Sequence, residues 1–428
     1  MSGAFGWRNA LAYGLMGLPL AFAALPLYVI LPNHYAREFG VPLAALGAVL
    51  LGARLLDALI DPWLGRLNDR LMARSGRAVL AAGAVAALLL ALGLLLLFFP
   101  QLVLRAPAGA DLLRWAALML MLSYLGYSLL SISHQSWGAL LGGDEAQRGR
   151  ITGTREALAL AGVLIASVLP SAAGLPVALA VFASLLLLAW CTWQRSLVPQ
   201  RPVPGHGRVS LMRPLADSRF RRLLGVFMLN GIASAVPATL VLFFVQDRLQ
   251  ASAAMEPAFL GVYFLSAAVS MPAWLALVRR LGLARSWLLG MVLAVLVFIW
   301  AALLSVGDAW PFLLVCALSG LALGADLALP SAMLAGLLQS RPGAAAAAGA
   351  SFGWWNFVAK LNLALAAGLS LPLLEAFGYR PGARDPQALQ ALTLAYCLLP
   401  CVLKVLACWG LYVGIIRAES RPVLELSS

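Results

Sequence analysis

Of the chain's 428 residues, 62% are hydrophobic and 11% charged, and the formal net charge is +13. A soluble globular chain is nearer half apolar and about a quarter charged, so the composition excludes a water-soluble domain. The basic residues lie in short loops between apolar runs, which accounts for the positive charge by membrane topology and not by nucleic-acid binding.

A bilayer-crossing helix needs about 20 apolar residues. Runs of that length predict twelve spans, at roughly 9–31, 43–65, 78–99, 112–141, 155–173, 176–194, 223–246, 258–278, 283–305, 311–338, 348–376 and 388–416. The first is too long for the core of a typical signal peptide and is expected to be retained. The fifth and sixth are separated only by the weakly polar turn signal "VLPSAAGLPVA". Five cysteines, Cys191, Cys316, Cys397, Cys401 and Cys408, sit inside apolar stretches without paired metal spacing, so neither a disulfide framework nor a zinc site is expected.

Orientation follows from the 30 Lys and Arg. With both termini cytoplasmic, only Arg37, Arg105, Arg114, Arg248, Arg380 and Arg384 fall in outer loops. Arg54, Arg155, Lys360 and Lys404 lie in or at the edge of spans, and the remaining 20 are cytoplasmic. A multi-pass protein of the plasma (inner) membrane is expected.

The second span poses the functional question. "ARLLDALIDPWLGRLNDR" (53–70) places Arg54, Asp57 and Asp61 inside an apolar run, where each ionised group costs roughly 2.5–3.5 kcal/mol near the bilayer centre. Asp57 and Asp61 are four residues apart and project from one helix face, with Arg54 three residues before Asp57 on that face. Two neighbouring carboxylates do not both ionise cheaply; one holds a proton unless a cation sits between them. That is the chemistry of a coupling-ion site. The alternative is that Asp61 caps the cytoplasmic helix end while Asp57 pairs with Arg54 only structurally.

The loop that follows, "GRLNDRLMARSGR" (65–77), has the form G-x-x-x-D-R and then basic residues. It resembles the loop between the second and third helices of major facilitator transporters. With "RLLDALIDPWLG" before it, the segment resembles the glycoside–pentoside–hexuronide:cation symporters. The resemblance implies an all-α integral membrane fold of twelve transmembrane helices in two six-helix bundles. It gives Asp57 and Asp61 the cation, and it places Asp69 and Arg70, with Arg54, in a gating or charge network.

The resemblance runs on through the chain. In "LGYSLLSISHQSWGALL" (125–141), Ser128 matches a hydroxyl of the cation site and Trp137 a tryptophan beside the sugar. Ser131, Ser133, His134 and Gln135 add hydrogen-bonding groups that need partners in lipid, and Ser131 and His134 are candidate substrate contacts. For His134 a satisfied packing role carries equal weight. In "GRITGTREALAL" (149–160), Arg155 matches the family's membrane arginine near the substrate, unless it merely pairs with Glu156.

The segment 194–222, with seven arginines, reads as a cytoplasmic linker between residues 1–194 and 223–428. Two six-helix halves joined this way suggest a transporter built from repeats, with its substrate site near the midplane between them.

In the second half, Asp326 lies in "GLALGADLALPSAML" (320–334), four residues before the helix-breaking Pro330. It is a candidate hinge, a partner for Lys360, or a local link to donors freed by the kink. The chain has only two lysines, Lys360 and Lys404, against 28 arginines, and both fall inside spans. "SFGWWNFVAKLNLALAAG" (351–368) resembles the family's eleventh helix, and Lys360 matches its cavity lysine, with Trp355 and Asn356 as further substrate candidates. Lys404 has no counterpart there.

Departures bear on the cargo. The family's first-helix sugar aspartate has no acid to match in "YGLMGLPLAFA" (13–23), and its fourth-helix partner is serine near Ser131 or Ser133. Galactoside specificity therefore does not carry over. Ile60 stands where the family supplies a polar residue before the second aspartate, which removes an oxygen that a hard cation such as Na+ would use. H+ is therefore expected ahead of Na+. The acidic motif after the tenth span is eroded to "AGLLQSRPGAAAAAGA" (335–350). The reading is a cation-coupled symporter of a sugar, glycoside or similar polyhydroxylated solute, with no cofactor beyond the coupling ion and no obligate protein or nucleic-acid partner. An amphipathic or lysolipid-like cargo is the alternative, suited to the apolar first helix. His34, His134 and His206 are scattered and make no catalytic constellation, so no enzyme is expected.

Overall fold

The computed structural model describes residues 6–105, 108–199, 210–252, 255–340, 344–379 and 382–419. Residues 200–209 of the expected linker, with His206, and Arg380 of the outer loops lie outside them. Among the described residues the chain is helical, without strands, in twelve rods that follow the predicted order.

The first rod, α1, is built from Trp7–Gly14, Gly17–Leu25, a wider π-helical turn Pro26–Ile30, and Leu31–Glu38. Then come α2 (Leu43–Arg74), α3 (Gly76–Phe98), α4 (Gly109–Leu140), α5 (Glu145–Ala173) and α6 (Leu175–Gln194). The second set is α7 (Ser218–Phe243), α8 (Glu256–Leu281), α9 (Leu283–Ala301), α10 (Ala309–Gln339) and α11 (Ala348–Ala376). The last rod, α12, runs from Pro386–Thr393 through Leu394–Leu398 and Leu399–Leu411 to Tyr412–Ile416. Nine of these among the described residues, α3 to α10 and α12, are long and apolar enough to cross a bilayer. The 32 residues of α2 and 29 of α11 are of comparable length.

Local chemistry sets the boundaries. At the end of α2, "GRLNDRLMAR" stays helical to Arg74, nine residues past the apolar run. Ser75 then turns the chain and its Oγ accepts from Ala78 N at 3.0 Å, capping α3. Between α5 and α6 the turn comes at Gly174, whose φ of 85° favours glycine, with Pro176 in the first turn of α6. Asp217 and Asp385 cap α7 and α12 through their carboxylates.

Two compact units result. The first holds Met1–Gly143, Thr154–Pro214 and Leu338–Phe357; the second holds Asp144–Gly153, Leu215–Leu337 and Val358–Ser428. Each unit thus includes a short segment from the other side of the linker. In the first, the C-terminal half of α4 packs Trp137 against Trp193, with ring centroids 5.6 Å apart. In the second, an aromatic core gathers Phe244, Phe259, Phe312 and Tyr396, the Phe244 and Tyr396 rings stacked at 4.3 Å.

Candidate functional site

The two aspartates of α2 are buried in the first unit. Asp57 is 3% exposed and Asp61 0%, one helical turn apart as the i, i+4 spacing requires. From α4, Ser128 donates its Oγ–H to Asp57 Oδ1 at 2.8 Å and is itself 1% exposed. Two of the three residues expected to hold the cation are therefore in direct contact, although α2 and α4 bring them from 71 residues apart in sequence. Arg54, one turn earlier, is exposed.

Further along α2, the helix lies backbone-to-backbone against the start of α11. A Cβ on Gly353 would meet Asp61 O at 2.6 Å, and Gly65 and Gly349 are in mutual contact, so side chains there would force the two helices apart. This close approach lets Asp69 reach the N-terminus of α11. Its carboxylate accepts from Gly349 N at 2.6 Å and from Ala350 N at 2.9 Å, where the helix presents free N–H groups and the positive end of its dipole. Burial pushes the Asp69 carboxyl up to about 7, against the opposing pull of the Ala350 and Gly349 amides and of Arg213. Its sequence neighbour Arg70 is exposed.

The α4 candidates divide. Ser131 accepts a bond from Gln135 Nε2 at 2.9 Å. His134, expected with equal weight as a substrate contact or a packing residue, is packed. It is fully buried, its ring is stacked on Tyr13 with centroids 4.1 Å apart, its Nε2 is bonded to Tyr13 O at 2.8 Å, and the Tyr13 hydroxyl donates back to His134 O. Trp137, expected beside the substrate, is likewise enclosed by the protein. It is 0% exposed, donates its indole N–H to Leu197 O at 3.0 Å, and packs on Trp193 and against Gly76. Arg155 is 7% exposed on α5 and makes two bonds to Glu156 Oε1, at 2.9 and 2.5 Å. It also reaches the Tyr13 hydroxyl.

On α11, Trp355 is 5% exposed and Asn356 partly buried in the first unit. Lys360, partly buried, belongs to the second.

In the second unit Asp326, for which the sequence leaves open a hinge role, Lys360 or a local backbone link, is ion-paired. Its partner is Lys404, with Nζ 2.7 Å from Asp326 Oδ2 and both side chains under 10% exposed. The indole N–H of Trp287 donates to Asp326 Oδ1 at 2.9 Å, and Lys404 Nζ also donates to Ser234 Oγ at 3.1 Å. Four helices, α7, α9, α10 and α12, meet at this ion pair. Sequence reasoning left Lys404 without a role; the available signal was its rarity as one of two lysines, both inside spans. A further missed group is Glu145 at the start of α5, whose Oε2 accepts from Leu283 N at 2.8 Å and so caps α9 where Gly282 turns the chain.

With this geometry established, comparison with known proteins gives consistent results. The family model for MFS/sugar transport proteins matches residues 10–416. The inner membrane symporter YicJ of Escherichia coli (strain K12) is 28% identical over 171 residues, which cover 38% of this chain and 34% of that one. Among solved structures, a bacterial homologue of the iron transporter ferroportin in its outward-facing state matches at 17% identity with a TM-score of 0.73. That match covers 96% of this chain and 100% of the other. The E. coli Fucose:proton symporter FucP matches at 15% identity and a TM-score of 0.68, covering 95% and 99%. At these identities the structural matches speak to the fold. Family and fold are those of multi-pass membrane transporters of small solutes, not of enzymes. With a model matched across nearly its whole length, the chain belongs to the MFS/sugar transport protein family.

Proposed function

We propose that this protein is a cation-coupled symporter of a sugar, glycoside or similar polyhydroxylated solute, with H+ the coupling ion ahead of Na+. The observation that carries the reading is the Asp57–Ser128 bond at 2.8 Å beside the fully buried Asp61. Burying acidic groups in an apolar run is costly, and sharing a proton or cation between neighbouring carboxylates relieves that cost. A hydroxyl fixed on Asp57 holds one carboxylate oxygen in a single orientation, so the site is prepared before the ion arrives. Relatives point the same way: YicJ is named a symporter and FucP a Fucose:proton symporter.

In this mechanism the ion occupies the Asp57–Asp61 pair and raises solute affinity, and by linkage solute raises ion affinity by the same factor. Alternating access then opens the loaded site to the other side. Each proton moving down 100 mV contributes about 2.3 kcal/mol. The expected localisation is the inner membrane with both termini cytoplasmic. Arg155 and Lys360 are the expected cationic contacts to the solute, and Trp355, Asn356 and Ser131 are further expected contacts. Asp69 at the α11 N-terminus is the expected gating contact.

The test is solute addition to de-energised cells in weakly buffered medium. The medium should become more alkaline with wild-type protein and not with Asp57→Ala or Asp61→Ala. Undiminished uptake in both variants would remove the assigned coupling site. A thermal-shift screen of purified protein against sugars, uronides and lysolipids, with and without Na+, identifies the cargo class; stabilisation by lysolipids alone would replace the polyhydroxylated reading.

A further inference from the structure

The second unit contains two buried amides with an unmet acceptor. Asn230 on α7 and Asn362 on α11 are each 3% exposed, and the Oδ1 of each is without a hydrogen-bond partner among the described residues. Buried polar atoms are satisfied in the great majority of cases, and in a membrane bundle the requirement is stricter because lipid supplies no donors. The two amides belong to one locality. The Asn362 side chain lies directly on Gly231, the residue after Asn230, in the space that any Cβ there would fill. Glycine at 231 lets α11 bring an amide onto the backbone of α7. One turn on from Asn230, on the same face, Ser234 accepts from Lys404, which is held in turn by Asp326 and Trp287.

We propose that Asn230 and Asn362 form a hydroxyl-recognising subsite, in which their side-chain carbonyl oxygens accept hydrogen bonds from two hydroxyls of a polyhydroxylated solute. The Asp326–Lys404–Ser234 network acts on this subsite as a positioning device. It fixes the face of α7 that carries Asn230 relative to α10 and α12. A cargo with several adjacent O–H donors suits paired acceptors that the protein itself leaves unmet; an alkyl chain would leave both amides unsatisfied and is disfavoured. This inference rests on the polyhydroxylated reading of the cargo and adds to it a second set of contacts, apart from the α2 and α4 residues.

The experiment is calorimetric titration of purified full-length protein, wild type, Asn230→Ala and Asn362→Ala, with D-xylose, D-galactose, D-glucose and D-glucuronate. The sugar bound most tightly by the wild type is then compared with its monodeoxy analogues. Each variant should bind the parent sugar roughly tenfold or more weakly, as loss of one charge-free hydrogen bond with its partner left buried implies. For one deoxy analogue, wild type and variant should bind alike within about twofold, because the hydroxyl that the amide serves is gone. Unliganded melting temperatures should not fall, since no bond is lost in the empty protein. Parent-sugar binding unchanged in both variants overturns the subsite while leaving the transport reading intact. Equal weakening across all analogues with a lowered melting temperature shows a packing role and also overturns it. If the wild type binds none of the sugars and binds lysophosphatidylcholine instead, the polyhydroxylated reading fails and the subsite with it.

Discussion

Replacing Asp326 by Asn should destabilise the second unit strongly, and replacing Lys404 by Met in the same chain should restore most of the loss. At 2.7 Å two unit charges attract by about 6 kcal/mol at an effective dielectric constant of 20, and desolvation of both groups offsets much of that. The net value of the pair is therefore small, but removing one partner leaves the other buried and uncompensated, at a cost of roughly 3–5 kcal/mol. Asn at 326 keeps an acceptor for the Trp287 N–H, and Met at 404 keeps the volume of the lysine stem. The double variant should accordingly lie within about 1–2 kcal/mol of wild type. Equilibrium unfolding in detergent for the four proteins gives the coupling energy, expected to exceed about 2 kcal/mol in favour of the double variant. Additive losses would refute the reasoning, because they would mean that neither charge depends on the other.

Three further outcomes follow from the same geometry. The folded state holds a proton on Asp69 between its ordinary value of 3.8 and about 7, where the unfolded chain has lost it. Wild-type stability should therefore fall as pH rises through that window, by roughly 2 kcal/mol relative to Asp69→Asn between pH 5 and 7; parallel pH profiles for the two proteins would contradict the assignment. His134→Ala removes a stacked ring and the bond to Tyr13 O, and should cost roughly 3 kcal/mol of stability while leaving solute affinity unchanged. Loss of affinity at unaltered stability would return His134 to the substrate. Gly231→Ala should cost roughly 1–3 kcal/mol because its Cβ meets the Asn362 amide, and Asn362→Ala should relieve it; an equal penalty in both backgrounds would place the strain elsewhere.

The spans were legible because apolar length is a property of sequence alone, and Asp57 and Asp61 were legible because charges in such a run stand out. The contact of Ser128 with Asp57 was reached only through the family resemblance, since nothing local links residues 71 apart. The surroundings of Trp137 and His134 were not legible for a physical reason. Residues 131–137 cover nearly two turns of α4, so they point all round the helix, and which face meets a cavity depends on the neighbouring helices. Here α1 and α6 flank the His134 ring, and α6 and the start of α3 the Trp137 ring. Asp69 was placed in a charge network, yet its partners are backbone amides 280 and 281 residues away, and amides carry no sequence signature. Lys404 was visible as an oddity; its pairing with Asp326 over 78 residues required the packing of α10 against α12.

Whether Asp57 and Asp61 carry the coupling ion is decided in proteoliposomes holding a pH dye in the lumen. Downhill entry of the solute through wild-type protein should acidify the lumen. With Asp57→Asn or Asp61→Asn the acidification should vanish while solute exchange across the bilayer continues in at least one of the two. Acidification of the same size in both variants would contradict the account.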